Sequence, residues 1–583
     1  MKHRFLLFTI IISFLFVSAI CLGEQTSSLT YHSPSEIFNT LKKLNSEYSQ
    51  LSKMMTIGKT GQGNDIPLLE ISNQKNKPNE KQAILVVGNI EGNQLIGSEI
   101  ILHYAQNLLG NYSKYDSVTA LLDKYTFYLL PVLNIDATRY SVGKVIHEIT
   151  TNLTPTDDDF DALVDEDGPE DLNGDGLITM MRIRDPQGKW MKDTSDARIM
   201  RLADPLKGEK GQYRLETEGI DNDNDEKINE DCVGGVALNK NFPQAYPHFQ
   251  PNSGKYMLSE PESRALVEFM NNHKNIVAVV VYGEYDNLIS PPELPKPAPS
   301  EKKEPDKRKI MAAEDIFIYQ KVSEIYREIT KYGSDVPKIE PGGAFHQWCY
   351  FQSGVPAFCA RVWSVPEPDA EKSESAEKDS LKIENQDSLS NTAKEIKNKS
   401  EKSTESEDAK WLAWSDAKLE GKGFVDWQPF KHPSLGEVEI GGFRPFLQSN
   451  PPASQISDIV TIQIRFLARI AELLPSVEID KIEVKEKSRS VYSLEINLEK
   501  KGFLPDATKF AHDYRLVKPT VVKIDVGKNT ILSGKKIIRL SGLRLDGDTE
   551  KIEWQIFANK GTEVSVDVLT EKAGQIHRKI KLQ

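Results

Sequence analysis

Short apolar runs alternate with amphipathic segments along much of the chain. Residues 82–87 and 276–282 are almost entirely apolar and have the length of a buried strand. Ile37, Leu41 and Leu44 recur at the spacing of a helix that buries one face. The same patterns predict strands at 125–130 and 355–361 and helices at 97–109, 313–332 and 457–474. Strands that alternate with helices predict an α/β fold with a mixed, largely parallel sheet flanked by helices.

Two capping boxes mark predicted helix starts. Ser33 and Glu36 frame Pro34 at the first helical position, and Ser259 and Glu262 repeat the arrangement later. In such a box the serine hydroxyl accepts a backbone N–H and the glutamate reaches back to the serine N–H. Both segments therefore predict the first turn of a helix.

Composition divides the chain into regions. Residues 291–310 are rich in Pro, Lys and Glu, and residues 366–410 consist almost wholly of Glu, Lys, Ser, Asp and Asn. Neither segment carries enough apolar surface to order itself, so both predict disordered insertions within one domain that spans 24–477. From 478 to 583, short alternating strands separated by turn residues predict a C-terminal β-sandwich.

The N-terminus predicts export. A basic start, Met1-Lys2-His3-Arg4, leads into an apolar stretch and then into small residues before Gly23, which is typical of a cleaved signal peptide over 1–23. Cys21 leaves a lipoprotein as the second reading. No later apolar run is long enough to cross a bilayer. We therefore expect a periplasmic or extracellular protein with no membrane span after cleavage.

The charge and the cysteines exclude some classes of protein. The net charge of −13 argues against a nucleic-acid partner, which requires a basic surface. Four cysteines make no disulfide framework. Cys349 and Cys359 are either buried thiols or one bridge, and the state of Cys232 also stays open.

An acidic repeat predicts calcium. Oxygen-bearing side chains stand at alternate positions in three loops, and the middle loop carries a glycine where a calcium loop turns sharply. No loop has the bidentate glutamate at its twelfth position, and a merely acidic, flexible insertion is the alternative. We expect calcium to pin the insertion at 157–231, with these candidate ligands: Asp157, Asp159, Asp161, Asp171, Asn173, Asp175, Asp221, Asp223 and Asp225.

Several segments, in the right order, resemble zinc carboxypeptidases of the carboxypeptidase A type. The resemblance runs from about Tyr31 to Pro475, and a calcium-like insertion and a trailing sandwich fit a bacterial branch of that family. The segments that carry it are 31–36, 57–63, 85–90, 131–136, 238–243 and 342–354. The resemblance implies a carboxypeptidase-like sheet. It also implies zinc held by a His-x-x-Glu pair and a later histidine, a glutamate as general base, and arginines that bind the substrate carboxylate.

This sequence departs from the family at each of those positions. Glu91 and Gln94 stand where the family has its His-x-x-Glu pair, and Gly283 stands where the later histidine belongs. Arg361 occupies the position of the general base, so no catalytic residue is assigned. Lys240, after Asn239, replaces the motif arginine and keeps the charge without the bidentate fork.

These replacements predict that zinc does not bind. A guanidinium about 5 Å from a divalent ion repels it by roughly 6–7 kcal/mol at an effective dielectric near ~20. Losing the general base removes about 10²–10⁴-fold in rate. A site rebuilt around another histidine is the alternative, with His248 and His346 as its candidate ligands. Arg361 and Glu91 are expected to pair as a salt bridge in the former cleft.

Three functional readings follow. The first is an exported, inactive carboxypeptidase-like protein that binds peptides or cell-wall fragments, with Asn239 and Lys240 receiving a carboxylate. The second is an active zinc metallocarboxypeptidase with a rearranged site. The third is a calcium-stabilised structural or adhesive surface protein.

Overall fold

The computed structural model describes residues 30–76, 78, 81–157, 163–222, 227–229, 231–294, 307–332, 336, 339, 342–364, 406–540 and 546–583. The signal peptide predicted at 1–23 lies outside the described residues. The α-helices are α1 (Pro34–Glu47), α2 (Ile96–Asn111), α3 (Asp116–Lys124), α4 (Ile135–Ser141), α5 (Pro261–Asn272), α6 (Ala313–Thr330), α7 (Phe345–Trp348), α8 (Glu407–Lys418), α9 (Ala453–Glu472) and α10 (Lys509–Asp513). The strands are β1 (Ser52–Lys59), β2 (Asp65–Ile71), β3 (Ala83–Gly88), β4 (Thr126–Leu130), β5 (Met180–Arg184), β6 (Trp190–Lys192), β7 (Met200–Leu202), β8 (Tyr213–Thr217), β9 (Ile276–Tyr282), β10 (Ala357–Ala360), β11 (Phe424–His432), β12 (Gly436–Phe443), β13 (Ser476–Ser488), β14 (Val491–Lys501), β15 (Thr520–Asp525), β16 (Thr530–Ser533), β17 (Ile537–Leu540), β18 (Thr549–Phe557), β19 (Glu563–Leu569) and β20 (Gln575–Lys581).

A six-stranded mixed sheet forms the core, with the strand order β1-β2-β4-β3-β9-β10. Strands β4, β3, β9 and β10 are parallel, while β1 and β2 add an antiparallel edge. Every residue of β3 and β9 is buried, as expected for strands covered on both faces by helices. Helices α2, α6 and α9 pack into the same apolar core. This confirms the predicted α/β fold class.

A second, antiparallel sheet was not predicted. Its strand order is β11-β12-β5-β8-β6-β7, so it joins two segments that lie far apart in the sequence. Met181 and Ile183 of β5 pack with Val438 and Ile440 of β12 in a small core of their own. The acidic insertion is therefore anchored to a sheet and is not only a set of loops.

The C-terminal part consists of two four-stranded antiparallel sheets, β13-β14-β18-β16 and β17-β15-β19-β20. Alternate residues of the inner strands, such as Leu494, Ile496 and Leu498, are buried between the sheets around Trp554. This is the layered β-arrangement that the alternating pattern predicts.

The boundaries of the two predicted insertions need correction where the chain is described. Helix α8 begins at Glu407, so residues 407–410 of the segment predicted as disordered over 366–410 are helical. Residues 307–309 form a 3-10 turn inside the segment 291–310. The structure also describes residues 291–294, 310 and 406 of these segments, and their other residues lie outside the described part of the chain.

Two further findings bear on the open alternatives. Cys349 and Cys359 are buried thiols that form no bridge with each other, and the thiol of Cys232 donates to the Asn229 carbonyl at 2.9 Å. Among the helices that the structure describes, none combines the length and the apolar character needed to cross a bilayer.

Candidate functional site

Three parallel strands of the core sheet end side by side. Gly88 at the end of β3 lies beside Tyr282 of β9, and Tyr282 lies beside Ala360 of β10. Glu91, Gly283 and Arg361 follow these strand ends within three residues. Ligand sites of open α/β sheets form at such carboxyl ends. The sheet therefore brings together the positions that the sequence comparison singled out.

Buried polar contacts fix the turn after β3. Asn89 has a φ of 53°, a left-handed conformation that asparagine tolerates. Its Nδ2 donates to the carbonyls of Glu91 and Gly92, each at 3.2 Å. The hydroxyl of Thr138 donates to Asn89 Oδ1 at 2.8 Å. The turn is thus rigid, and it holds Glu91 and Gln94, both buried, at the base of the cleft.

The Glu91 carboxylate takes the space beside Gly283. A Cβ atom on residue 283 would lie 2.6 Å from Glu91 Oε2, so a side chain there is incompatible with this position of the carboxylate. The other oxygen, Oε1, accepts a hydrogen bond of 2.5 Å from Asn239 Nδ2. Oε2 is buried and finds no hydrogen-bond partner among the described side chains and backbone groups. The Glu91 carboxylate can therefore lie in this position only because residue 283 is a glycine.

Burial weakens the acidity of Glu91. Desolvation disfavours its charged form, and the neighbouring Glu284 carboxylate adds to the effect, so the pKa of Glu91 rises to about 7. The hydrogen bond from Asn239 and the nearby backbone amides partly offset the shift. A group of this kind is poised between its protonated and ionised forms near neutral pH.

Two acidic residues of the site were missed by the sequence reasoning. Burial also raises the pKa of Glu284, which directly follows Gly283, and the charges of Arg361 and Lys240 oppose the rise. Glu148 adds to it, and accepts hydrogen bonds from Asn93 Nδ2 at 2.7 Å and Phe446 N at 2.8 Å. The sequence could have indicated Glu284, because it closely follows the apolar strand at 276–282. Glu148 has no comparable signal.

The expected salt bridge between Arg361 and Glu91 is absent from the part of the chain that the structure describes. Arg361 Nε donates instead to the carbonyl of Trp363 at 3.2 Å, and its backbone N–H donates to Asp286. Arg361 does act on the acidic cluster, because its charge lowers the pKa of Glu284. The expectation of a direct pair was therefore wrong, although Arg361 directly follows β10 at this edge of the sheet.

The two predicted binding residues have different surroundings. Both polar ends of the Asn239 amide are occupied, since Nδ2 bonds Glu91 and Oδ1 accepts the backbone N–H of Phe345 at 3.0 Å. Lys240 is exposed, and its Nζ lies 3.5 Å from the carbonyl of Pro251. Asn239 is thus a positioning residue for Glu91, and Lys240 is the one with a charge available to a ligand.

The residues at the base of the cleft do not fit a zinc ion. Gly283 offers no side chain, Gln94 is neutral, and Oε1 of Glu91 is already bonded to Asn239. No group of three or more His, Cys, Asp or Glu side chains suited to a metal occurs in the described ranges. His346 is buried with its pKa lowered to about 4, and it lies beside the Tyr285 ring; His248 is exposed beside Tyr246.

The calcium candidates are only partly described. Asp159, Asp161, Asp223 and Asp225 lie outside the described residues. In the middle loop, Asp171 accepts the backbone N–H groups of Gly174, Asp175 and Gly176 at 2.8–3.1 Å. Asn173 and Asp175 accept backbone N–H groups in the same way. These side chains shape the loop, and calcium binding stays a prediction.

A family model described as zinc carboxypeptidase matches residues 37–156 and 204–418, which is more than half of the 583 residues. The chain belongs to the zinc carboxypeptidase family. The resemblance read from the motifs is thereby confirmed, whereas the bacterial branch stays an expectation. A second model, for a domain of unknown function, matches residues 476–581.

Curated members of the family match over short stretches. Carboxypeptidase D of Rattus norvegicus is 33% identical over 144 residues, which is 24% of this chain and 10% of the relative. The inactive metallocarboxypeptidase ecm14 of Sclerotinia sclerotiorum is 29% identical over 115 residues, 19% of each chain. The chain thus spans a fifth or less of these relatives.

Two solved structures match this chain at low sequence identity. Bovine thrombin-activatable fibrinolysis inhibitor, in complex with tick carboxypeptidase inhibitor, is 14% identical with a TM-score of 0.38, covering 76% of this chain and 96% of that one. Carboxypeptidase A from Helicoverpa armigera is 13% identical with a TM-score of 0.36, covering 59% and 67%.

Proposed function

We propose that this chain is an exported, catalytically inactive member of the zinc carboxypeptidase family that binds peptides or cell-wall fragments in the former active-site cleft. The observation that carries the proposal is the Glu91–Gly283 pair. The space beside Gly283 holds a carboxylate, and Glu91 Oε1 is bonded to Asn239. Since neither Glu91 nor Gly283 brings an imidazole and Gln94 brings no charge, the family's zinc chemistry has no support here.

The cleft keeps the means to bind. Lys240 presents an exposed ammonium at its rim, suited to the terminal carboxylate of a peptide. Asn239, tied to Glu91 and to Phe345, holds the neighbouring backbone in place. The relatives named inactive metallocarboxypeptidases support the loss of activity, whereas the similarity to carboxypeptidase D favours an active enzyme with a rearranged site as the second candidate.

Metal content and peptide binding test the proposal. Purified full-length protein should carry far less than one zinc per chain and should release no C-terminal residue from a peptide. A peptide with a free C-terminus should bind, and Lys240→Ala should weaken that binding roughly tenfold. Lys523→Ala, an exposed lysine on β15, is the matched control and should leave binding unchanged.

Two outcomes would overturn the proposal. One is zinc at one equivalent with chelator-sensitive release of C-terminal residues. The other is peptide binding that an amidated C-terminus or Lys240→Ala leaves unaltered. Replacing Glu91→His, Gln94→Glu, Gly283→His and Arg361→Glu together should create zinc affinity, because it restores the family's ligands and base.

We also propose that calcium binds the acidic insertion and stabilises it. The carboxylates of the middle loop already lie in a tight turn around backbone amides. A calcium titration followed by calorimetry tests this role directly. Calcium-dependent self-association without peptide binding would instead favour the structural or adhesive reading.

A further inference from the structure

A cavity lies between the core sheet and the C-terminal sheets. It has a volume of about 270 Å³. Its wall comes from residues 81–82 before β3, from residues 272–275 before β9, and from the turn between β19 and β20, within 570–575. The first two segments lie at the amino ends of β3 and β9, whereas the cleft lies at their carboxyl ends, about 20 Å along the strands. The cavity is therefore separate from the site described above.

The charged groups of the wall are mostly cationic. Lys81, Lys274 and Lys572 bring three ammonium groups, and Glu571 brings one carboxylate. The hydrogen-bond acceptors of the three lysines are all neutral oxygen atoms, and none of the lysines forms an ion pair within the described ranges. The Glu571 carboxylate accepts the backbone N–H of Lys518 at 2.8 Å. The wall thus has an excess of positive charge that no neighbouring acid neutralises.

Lys572 is the most deeply buried of these cations, with 5% of its surface exposed. An ammonium group has three donors, and the one hydrogen bond of Lys572 Nζ to the described part of the chain is a long one, 3.5 Å to the Ser353 carbonyl. Burial lowers the pKa of Lys572 to about 8, and the charge of Glu571 opposes this shift only in part. The group therefore stays mostly ionised at neutral pH. A buried charge with unused donors is costly unless an anion compensates it.

The other two lysines add charge from the core side of the cavity. The donors of Lys81 Nζ are accepted by oxygen atoms of Ser72, Asn73 and Leu122 at 2.7–3.0 Å. Lys81 therefore contributes its charge and not a direct contact. Lys274 is exposed, and its Nζ makes one hydrogen bond of 3.2 Å to a neighbouring side-chain amide, which leaves two donors for a ligand.

We propose that this cavity binds a divalent oxyanion, such as phosphate, sulfate or a small dicarboxylate, between the core and the C-terminal sheets. Two negative charges balance three ammonium groups and one carboxylate, which a neutral or cationic ligand does not do. Lys572 and Lys274 donate charge-assisted hydrogen bonds to the oxygen atoms of the anion. The volume lies just below the range of sites for larger ligands, about 300–1,000 Å³, as suits a compact ion.

A bound anion would strengthen the attachment of the C-terminal sheets. Lys81 and Lys274 stand on the core, whereas Lys572 stands on the C-terminal part, which has an apolar core of its own. Gln82, also in the wall, already bonds the Pro475 carbonyl across this junction. The anion site does not rest on the proposed peptide binding in the cleft.

Calorimetric titration of the full chain with sodium phosphate, sulfate and succinate, at one ionic strength, tests the proposal. At least one of these anions should bind saturably and raise the unfolding temperature. Lys572→Met keeps a long apolar side chain without the charge, and should weaken binding tenfold or more. Lys274→Ala should weaken it about threefold. Lys487→Ala is the matched control, an exposed lysine at the end of β13 remote from the cavity, and should leave binding unchanged.

A pH series with sulfate gives a second measurement, because the charge of sulfate is constant between pH 7 and pH 9. Burial lowers the pKa of both Lys81 and Lys572 to about 8, so both ammonium groups lose their protons over this range. The affinity for sulfate should therefore fall roughly tenfold or more from about pH 7 to pH 9.

The anions also separate the possible ligands. Binding of phosphate or sulfate without succinate assigns the site to a tetrahedral oxyanion, and binding of succinate alone assigns it to a dicarboxylate. Saturable binding of none of the three would overturn the proposal, as would binding that Lys572→Met leaves intact or acetate that binds as tightly as the divalent anions. Lys240→Ala should weaken peptide binding in the cleft and leave anion binding unchanged, so the two proposals fail or hold independently.

Discussion

At the scale of single residues, Glu91 is the most unusual group of the site. It is 6% exposed, one of its oxygens bonds Asn239, and the other has no hydrogen-bond partner in the described structure. An ionised carboxylate in such surroundings opposes folding unless a cation compensates it. Arg361 turns instead to the Trp363 carbonyl. The free energy of unfolding should therefore depend on the protonation of Glu91.

Glu91→Gln tests this dependence. The folded-state pKa, about 7, exceeds the ordinary value of 4.5, so the folded state binds the proton more tightly than the unfolded state does. Glu91 should thus cost the wild type stability as pH rises from about 4.5 to 7, on the order of 2 kcal/mol. Glu91→Gln, which mimics the protonated form, should remove that loss in urea unfolding measured at pH 5 and pH 7.5. Glu314→Gln, at an exposed position, is the control. If the free energy of unfolding changes equally between pH 5 and pH 7.5 in Glu91→Gln and in the wild type, the raised pKa of Glu91 is contradicted.

The sequence predicted the members of the site better than their contacts. Glu91, Gly283 and Arg361 each follow an apolar strand, and parallel strands place such positions at one edge. The side-chain partners depend on tertiary packing, which motifs do not encode. The expected bond between Arg361 and Glu91 was wrong for that reason. Glu148 follows no strand of the core sheet, so nothing in its local sequence placed it beside the turn that holds Glu91.

At the scale of elements, long apolar strands and well-capped helices were predictable. The strand over 276–282 has the predicted bounds, and Ser33 and Glu36 form the predicted capping box. The second predicted box was wrong: helix α5 begins after Glu260 and has no side-chain cap. The second sheet escaped prediction because β6 and β7 have three residues each and because β5 pairs with β12, more than two hundred residues later.

A partly buried ion pair joins the two distant halves of the second sheet. Arg182 of β5 is 5% exposed and bonds Glu439 of β12 through two contacts, Nε–Oε2 at 2.8 Å and Nη2–Oε1 at 3.0 Å. Removing one partner leaves the guanidinium buried without a counter-charge. Glu439→Gln should therefore lower the free energy of unfolding by about 1–3 kcal/mol. Chemical denaturation measures the change. Glu437→Gln, at an exposed position on the same strand, is the control and should leave the free energy of unfolding unchanged. Equal stability of the two variants would contradict the role of the ion pair.

At the scale of the whole molecule, the question is how the C-terminal sheets are coupled to the core. Helix α10, between β14 and β15, meets helix α6 of the core at Asp315. This carboxylate is 1% exposed. It accepts the backbone N–H groups of Lys509 at 2.7 Å and Phe510 at 3.1 Å, and the Tyr350 hydroxyl at 2.6 Å. One side chain thus joins α6, α10 and the turn that precedes β10.

Asp315→Ala tests that coupling. It leaves the partly buried N–H of Lys509, the buried N–H of Phe510 and the buried Tyr350 hydroxyl without their acceptor, at a cost of about 3 kcal/mol. Phe510 of α10 packs in the main apolar core, whereas the strands before and after α10 in the chain belong to the separate core of the C-terminal sheets. Releasing α10 should therefore reduce cooperativity as well as stability. Calorimetry should then resolve a separate transition for the C-terminal sheets, and limited proteolysis should release a fragment near residue 476. Glu314→Ala removes the adjacent exposed carboxylate and should unfold as the wild type does. A single transition for Asp315→Ala at the wild-type temperature would mean that the remaining contacts, among them Gln82 with the Pro475 carbonyl, suffice to couple the two parts.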